Sequence, residues 1–219
     1  MEIYDELVRE RGEVAGFMRR LYHKGLTTSS GGNISLRCRD GLALVTPSGL
    51  DKGELSADQV SLIRLDGENL APRLTPTMEA GMHLEILRRR PGIKAVVHAH
   101  PVFATAFACL DLELDTGLCS ESYMLMPRLA NVGFAVPGSP ELARLAAESL
   151  SSADVALLSN HGVIAVGDSL FKAFELMETA ETAAKINFLV RSLGGGRPLG
   201  DTERRLIGLA FASDGLQAH

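Results

Sequence analysis

A short apolar run that ends in two histidines constrains this chain more than any other segment. Residues 93–97 are mostly apolar and of strand length, which predicts a buried β-strand. His98 and His100 follow at its carboxyl end. Alternate side chains of an extended chain share a face, so the two imidazoles should lie side by side, with Cα atoms about 6 to 7 Å apart. One metal ion can bridge that distance, but hydrogen bonding to each other or to solvent explains an isolated pair equally well. A third ligand is therefore needed.

A third histidine stands at a similar place in the sequence. His161 follows the apolar run of residues 155–158, and Gly162 after it allows the chain to turn sharply. Binding sites of α/β folds collect at strand ends. A catalytic zinc commonly takes three protein ligands and keeps one position for substrate. His161 is therefore a candidate third nitrogen ligand beside His98 and His100.

The remaining histidines carry weaker signals. His83 lies four residues after Glu79, so the two share a face of a predicted helix. We expect His83 to be a hydrogen-bonded core residue of that helix rather than a ligand. His23 and His219 stand near ends of segments, and we assign them no role.

Composition excludes several classes of partner and site. The 219 residues are 46% hydrophobic and 22% charged, which predicts one domain over residues 1–219 with a sizeable core. The net charge of -5 argues against nucleic acid and anionic membranes as partners, since both select basic patches. The three cysteines have no Cys-x-x-Cys spacing, so neither a disulfide framework nor a thiolate zinc site is expected. Without a run typical of a signal peptide or a membrane span, the sequence predicts a cytoplasmic protein.

Helical and extended segments alternate along the whole sequence, without a clear linker. The apolar periods and their flanking caps and breakers predict helices over residues 2–24, 77–90, 101–110, 139–150, 169–192 and 202–211. They predict strands over residues 34–37, 42–45, 60–65, 93–97, 132–136, 155–158 and 163–166, with Asp40 and Gly41 turning the first hairpin. Residues 112–128 have no clear period and are predicted to be mostly loop.

Five short blocks of this sequence occur in one known family in the same order and with similar spacing. They are SGGNIS at residues 30–35, TPSG at 46–49, TME at 77–79, HAHP at 98–101 and NHG at 160–162. On these blocks, the chain resembles the zinc-dependent class II aldolase and adducin head family over roughly residues 5–190. The resemblance implies a three-layer α/β/α sandwich with a central mixed or largely antiparallel sheet. It also implies a four-fold symmetric homotetramer with sites at subunit boundaries.

The same resemblance implies a metal centre and a role for one carboxylate. His98, His100 and His161 match zinc ligands of the family's aldolases, with one Zn²⁺ per subunit. Glu79 matches a further metal-site residue that can leave the zinc when substrate enters and that acts as the acid/base group. In these aldolases zinc acts as a Lewis acid and stabilises the enediolate left by cleavage of a carbon–carbon bond. The carboxylate moves the proton on the enediolate carbon, a form of catalysis that gives about 10² to 10⁴ in rate.

Three loops that precede the histidines resemble the family's phosphate-binding loops. Glycines let backbone N–H groups approach an anion, and hydroxyl and amide side chains add donors. The expected helix start at Thr77 adds a positive amino end. Taken singly, the same residues are what ordinary turns use. The residues that the resemblance assigns to substrate phosphate are Gly32, Asn33, Ser48, Gly49, Thr77 and Met78.

Two positions depart from the family's pattern. Met78 replaces a serine of the family's fuculose phosphate aldolases, so one side-chain donor to phosphate is missing while the backbone N–H remains. The aldolases also use a tyrosine, in the segment after the two histidines, to protonate the departing oxygen. Tyr123 is the nearest tyrosine, but spacing back from Pro137 places the match closer to Cys119. Tyr123 is therefore not assigned as the donor, and Glu121 in the same segment is an alternative polar group for the metal cavity.

Several reactions share this metal centre within the family. Its 4-epimerases carry aspartate where Glu79 stands, so the glutamate favours an aldolase. Sugar-phosphate dehydratases and phosphorylated sugar-acid decarboxylases keep a glutamate and remain alternatives. A non-enzymatic adducin-like head lacks the metal histidines that this chain retains. The sequence therefore predicts a carbon–carbon lyase that cleaves a small phosphorylated ketose, similar to fuculose 1-phosphate, into dihydroxyacetone phosphate and an aldehyde.

Overall fold

The computed structural model describes residues 2–39, 41–110 and 112–213, so Asp40 of the predicted hairpin and His219 lie outside the described residues. The helices are α1 (Glu2–Glu6), α2 (Val8–His23), α3 (Ala80–Arg89), α4 (Val102–Ala108), α5 (Ser120–Leu125), α6 (Pro140–Ser149), α7 (Leu170–Ser192) and α8 (Asp201–Ser213). The strands are β1 (Asn33–Arg39), β2 (Leu42–Val45), β3 (Ser61–Arg64), β4 (Ala95–Ala99), β5 (Leu129–Val132), β6 (Val155–Leu158) and β7 (Gly162–Gly167). Short 3₁₀ helices span Ala57–Gln59 and Thr116–Leu118. Within the described ranges, no helix is long and apolar enough to cross a membrane.

The strands of the described chain form a seven-stranded sheet in the order β3-β2-β1-β4-β7-β6-β5. Neighbouring strands run antiparallel, except that β5 and β6 pair in parallel. The expected mixed, largely antiparallel sheet is thereby confirmed. Strand β4, which carries His98, lies at its centre, between β1 and β7.

Helices cover both faces of the sheet. α2, α4 and α7 share one core, to which β4 contributes Val97. α3 and α6 share the other core, to which β4 contributes Val96. Successive side chains of a strand alternate between its faces, so His98 lies on the same face as Val96, towards α3. The two cores confirm the α/β/α sandwich. His98 lies on the face that is covered by α3, the helix that follows Glu79.

Serine caps fix the starts of two long helices close to where the sequence predicts them. Ser139 precedes α6, and its hydroxyl accepts a hydrogen bond from the N–H of Leu142 at 3.1 Å. Ser169 precedes α7, and its hydroxyl accepts from the N–H of Lys172 at 3.2 Å. Each cap satisfies one of the N–H groups that a helix start leaves without an intrahelical partner.

The predicted helix start at Thr77 is wrong, because α3 begins at Ala80. The N–H of Thr77 donates to the carbonyl of Thr46 at 3.1 Å, and an antiparallel bridge pairs the preceding residue with the loop after β2. These contacts hold the segment extended against that loop. Glu79 therefore lies immediately before α3 rather than inside it.

Residues 112–128 contain α5 and a 3₁₀ helix where the sequence predicts mostly loop. Asn187 of α7 anchors the start of this segment. Its Oδ1 accepts from the N–H of Asp115 at 3.0 Å, and its Nδ2 donates to the carbonyl of Asp115 at 2.8 Å. The Asp115 carboxylate then accepts from the N–H of Gly117 at 2.7 Å. A distant anchor of this type leaves no period in the local sequence.

The strand predicted over residues 132–136 is displaced, since β5 spans Leu129–Val132. Its position follows from parallel pairing with β6, in which Leu129 lies opposite Val155. Phe134 and Val136 are exposed beyond the end of the strand. Their apolar character therefore reflects the surface of a loop and not a buried strand.

Candidate metal centre and active site

The structure brings His98, His100 and His161 together, with one ligand nitrogen of each lying within 4.8 Å of the others. His98 belongs to β4 and His100 follows that strand. Antiparallel pairing of β4 with β7 places Ala99 opposite Val163. The turn between β6 and β7, which carries His161, therefore meets the carboxyl end of β4.

Glycine at position 162 allows this close approach. A Cβ atom on Gly162 would lie 2.6 Å from the carbonyl oxygen of Ala99 and 2.6 Å from Cδ2 of His100. Asn160 has a φ of 55°, in the left-handed region that asparagine tolerates better than most residues. The Asn-His-Gly block thus forms a tight turn that carries His161 to the other two histidines.

Gly32 has a structural role beside the expected contact with phosphate. It adopts a φ of +67°, and a Cβ atom there would lie 2.9 Å from the carbonyl oxygen of His98. The glycine lets the loop before β1 pack directly against the backbone of the metal-site strand. One of the expected phosphate loops is therefore in contact with the metal centre.

Glu79 completes the cluster from the start of α3. Its Oε2 lies 3.2 Å from Nε2 of His98, and its Oε1 lies 3.3 Å from Nε2 of His161. Burial acts to raise the pKa of Glu79, but the hydrogen bonds and charges of His98, with a hydrogen bond from Asn33, hold that pKa well below its ordinary value. The carboxylate is therefore ionised in the folded protein.

Two of the three histidines favour the neutral form in which imidazole binds a metal. Nδ1 of His98 donates to the carbonyl of Val163 at 2.9 Å, because a carbonyl oxygen can only accept, so Nε2 is the ring nitrogen that faces the cluster. Burial lowers the pKa of His100 to about 4 and also lowers the pKa of His161. Neutral imidazoles bind metals without first losing a proton.

The distances within the cluster fit a divalent metal ion. A tetrahedral ion with nitrogen ligands at roughly 2.0 to 2.1 Å separates those ligands by about 3.3 Å. The Nε2 atoms of His98 and His100 lie 3.1 Å apart, similar to the two separations from Glu79. Oε1 of Glu79 and Nδ1 of His161 are buried without a hydrogen-bond partner in the described part of the chain. A cation between these groups would compensate the buried carboxylate oxygen.

Two of the expected phosphate loops are tied to each other beside the site. The N–H of Ser48 donates to the carbonyl of Thr75 at 2.9 Å, and Thr77 donates back to Thr46. Both N–H groups are therefore engaged. The Ser48 hydroxyl and the Met78 N–H have no partner among the described residues, so they remain donors for an anion. Gly49 is exposed, and the side chain of Met78 is 81% exposed.

Asn33, which the sequence assigns to phosphate, uses its side chain within the metal centre. Its Nδ2 donates to Oε2 of Glu79 at 2.9 Å, and its Oδ1 lies 2.5 Å from Nε2 of His83. Nδ1 of His83 lies 2.8 Å from the hydroxyl of Ser35. The expectation that His83 is a hydrogen-bonded core residue is confirmed, since it is fully buried. Its link to Glu79 through Asn33 cannot be read from sequence spacing.

Lys52 is a buried residue that the sequence does not single out. Its side chain is fully enclosed, its Nζ donates to the carbonyl of Pro47, and its N–H donates to the carbonyl of Ser29 at 2.8 Å. Lys52 therefore joins the loop before β1 to the loop after β2. Burial lowers its pKa to about 8. A lysine in a polar loop segment normally indicates a solvated surface, so no sequence signal marks this position.

Tyr123, Cys119 and Glu121, from the segment in which a proton donor is expected, have other surroundings. The guanidinium of Arg204 lies 5.4 Å from the ring centroid of Tyr123, which lines a cavity of about 420 Å³ near α5. Cys119 precedes α5, and Glu121 is an exposed residue of its first turn. Among the described residues, no recorded contact joins these three side chains to the histidines.

Comparison with known proteins identifies the family. The family model described as the Class II Aldolase and Adducin N-terminal domain matches residues 12–188, which include all three histidines and Glu79. The chain belongs to this family. The class II aldolase membership supports a lyase, and the histidine cluster gives the chain a group that can bind a metal.

Relatives within the family catalyse more than one reaction. The 5-deoxy-D-ribulose 1-phosphate aldolase of Bacillus thuringiensis serovar kurstaki is 33% identical over 215 residues, which cover 96% of this chain and 99% of the relative. The 3-oxo-tetronate 4-phosphate decarboxylase of Haemophilus influenzae is 34% identical over 178 residues, which cover 79% of this chain and 84% of the relative. A solved structure of an L-fuculose 1-phosphate aldolase superposes with a TM-score of 0.81 at 29% identity, covering 92% of this chain and 95% of that one.

Proposed function

We propose that this protein is a zinc-dependent aldolase that cleaves a phosphorylated ketose into dihydroxyacetone phosphate and an aldehyde. The observation that carries the proposal is the cluster of three imidazoles around a buried, ionised Glu79 with one unpartnered oxygen. Imidazole nitrogens with a carboxylate suit zinc, one ion per subunit, bound by His98, His100 and His161. The relatives that are phosphorylated-ketose aldolases support the substrate class.

In the proposed cleavage, the bond between C3 and C4 of the ketose breaks and its electron pair stays on C3. The 4-hydroxyl loses its proton as C4 becomes the aldehyde carbon. Zinc, when bound, would supply Lewis-acid stabilisation of the negative charge on the resulting enediolate, worth several kcal/mol. Glu79 is ionised at rest, so it takes up the proton lost by the 4-hydroxyl, relayed by a second group, and delivers it to C3, which completes dihydroxyacetone phosphate.

The ionised state of Glu79 defines its role in the reverse direction. As a buried carboxylate held by His98 and Asn33, it can remove the proton from the hydroxymethyl carbon of dihydroxyacetone phosphate before condensation. The proton of the 4-hydroxyl needs a second group. Because the family resemblance places the sites at subunit boundaries, we place that group on a neighbouring subunit of the proposed homotetramer.

The phosphate of the substrate would bind beside this centre, at the tied loops. The Ser48 hydroxyl, the Gly49 backbone and the Met78 N–H form no hydrogen bond within the described chain. Gly32 and Thr77 fix the loop backbones, and the Asn33 side chain is bound to Glu79. The exposed side chain of Met78 offers no donor. We therefore expect weaker binding of phosphate than a serine at this position would give.

A decarboxylase acting on a phosphorylated 3-oxo sugar acid is the second candidate. The Haemophilus influenzae relative supports it, and loss of carbon dioxide beside a ketone leaves an enediolate of the same type. A dehydratase would use the same acid/base group, whereas the glutamate at position 79 disfavours a 4-epimerase. The intact histidine cluster disfavours a non-enzymatic adducin-like head.

One assay separates these activities. Zinc-loaded protein is incubated with a panel of ketose 1-phosphates and 3-oxo sugar-acid phosphates, while dihydroxyacetone phosphate and carbon dioxide are measured. Release of dihydroxyacetone phosphate supports the aldolase, and release of carbon dioxide selects the decarboxylase. Purified protein that binds no stoichiometric metal and turns over neither substrate would refute the enzymatic proposal.

A further inference from the structure

We infer that Ser35, His83 and Asn33 form a buried hydrogen-bond chain that positions the Glu79 carboxylate, so that His83 and Asn33 are positioning residues of the proposed reaction. The inference rests on the proposed function, because Glu79 is the acid/base group there. It assigns a role to His83. Within the described ranges, the His83 side chain forms hydrogen bonds to Ser35 and Asn33 and to none of the three clustered histidines.

The donor and acceptor atoms of the side chains fix the direction of each hydrogen bond between Glu79 and Ser35. The amide nitrogen of Asn33 lies 2.9 Å from Oε2 of Glu79 and donates to it, while Oδ1 of Asn33 faces His83. Oδ1 can only accept, so Nε2 of His83 carries the proton. A neutral imidazole has one N–H, which leaves Nδ1 as the acceptor from the Ser35 hydroxyl at 2.8 Å. Ser35 therefore selects the tautomer that the rest of the chain needs.

The fold sets these residues in line. Asn33 and Ser35 are alternate residues of β1 and share a face. Asn33 lies opposite His98 in the antiparallel pairing of β1 with β4. His83 lies one turn beyond Glu79 on α3, with which it shares a helix face. The chain therefore connects the strand beside the metal centre to the helix that carries the carboxylate.

The side chains that form this hydrogen-bond chain are shielded from solvent. Asn33, Ser35 and His83 are all buried, and burial keeps His83 neutral by lowering its pKa to about 3. Oε2 of Glu79 is engaged by this chain and by His98, whereas Oε1 has no hydrogen-bond partner among the described residues. The chain thus holds one oxygen and leaves the other towards His161 and the metal position.

Removing His83 should disturb the metal centre without direct loss of a ligand. His83→Phe keeps an aromatic ring and removes both hydrogen bonds, so Asn33 loses the partner of its Oδ1. Outer partners of metal-site residues typically change metal affinity or activity by about 10- to 100-fold. We expect His83→Phe to lower zinc affinity or kcat by that amount, with KM changed by less than about threefold.

Two variants separate positioning from simple loss of packing. His83→Gln keeps an N–H near the place of Nε2, and it should recover most of the loss. Ser35→Ala removes the donor that fixes the tautomer, and it should give a smaller loss in the same quantities. Ser61→Ala is the matched control, because Ser61 is another fully buried strand serine, on β3 at the sheet edge. It should behave as the unmodified protein does.

Zinc affinity is measured by competition with a chelator, which needs no substrate, and kcat is measured with the substrate found in the panel. Equal zinc affinity and kcat in His83→Phe and the unmodified protein would overturn the inference, and so would a His83→Gln variant as impaired as His83→Phe. If the unmodified protein binds no zinc, the proposed function fails instead.

A spectroscopic measurement tests the chain even if His83→Phe does not fold. Long-range ¹H–¹⁵N correlation of the imidazole in the zinc-free, unmodified protein reports which nitrogen of His83 is protonated. The chain requires the Nε2–H tautomer. An Nδ1–H tautomer, or a protonated ring at neutral pH, contradicts it.

Discussion

Oε1 of Glu79 lies 3.3 Å from Nε2 of His161 and, among the described residues, accepts no hydrogen bond. Oε2 of the same carboxylate is held by Asn33 and His98. The two oxygens therefore have different surroundings within a single side chain. One is fixed by the protein, and the other faces the place where a metal and a substrate would meet.

Replacing Glu79 by glutamine should separate metal binding from catalysis. The amide keeps the size of the side chain but cannot accept a proton, so we expect kcat to fall by about 10² to 10⁴. Zinc should remain bound, since the three histidines are unchanged. Metal content and turnover of Glu79→Gln are measured together, and an unchanged turnover would exclude the acid/base role.

Removing one histidine should remove the metal. His98→Ala or His161→Ala leaves two imidazole nitrogens, and we expect zinc content to fall from about one per subunit towards zero, with loss of activity. His23→Ala is the control, because His23 is exposed at the end of α2. Equal zinc content in all three variants would place the metal elsewhere.

The turn at Gly162 should tolerate no side chain. In Gly162→Ala, the new methyl group would overlap the Ala99 carbonyl and the His100 ring, so the hairpin must move away from β4. We expect zinc affinity to fall at least about tenfold, as for other changes that displace a metal ligand. Gly12→Ala on α2 is the control, since nothing lies within 4 Å of its added atom. That change should instead stabilise the protein by about 0.5 to 1 kcal/mol in urea unfolding.

Lys52 should make the free energy of unfolding depend on pH in the alkaline range. Its pKa is about 8 in the folded protein against an ordinary 10.5, so the unfolded chain binds more protons between these values. Lys52 therefore increases the free energy of unfolding by at most about 3 kcal/mol as pH rises from about 8 to 10.5. Urea unfolding of the zinc-free protein and of Lys52→Met should diverge in that range. Parallel pH profiles of the two proteins would contradict the prediction.

Restoring a hydroxyl at the rim of the phosphate loops should strengthen substrate binding. Met78 is 81% exposed, so Met78→Ser should change the unfolding free energy by less than about 0.5 kcal/mol. One new hydrogen bond to a charged phosphate is worth about 1.5 to 3 kcal/mol, which corresponds to a KM lower by about tenfold or more. The same variant assayed with the unphosphorylated ketose should show no gain. A gain with both ketoses would mean that Met78 contacts another part of the substrate.

Short-range patterns predict most of the fold and the residues that meet at the metal centre. The bounds of β2 and β6 follow directly from their apolar runs. Gly32, before β1, and Gly162, after His161, mark the turns that approach the site. Contacts between distant segments are harder to predict. Asn187 anchors Asp115 at the start of the segment that contains α5, and Asn33 joins Glu79 to His83. Neither partner leaves a period or a spacing in the local sequence.

The central position of β4 also determines when the ligand set can form during folding. Its pairings with β1 and β7 join residues about 65 positions apart in sequence on either side. Pairings of such separation carry a larger loop-closure entropy than hairpins and tend to slow folding. An incompletely folded chain therefore offers a metal little more than the neighbouring His98 and His100. The ion would bind tightly only to a molecule whose central sheet is already complete, so metal content reports correct folding of the chain.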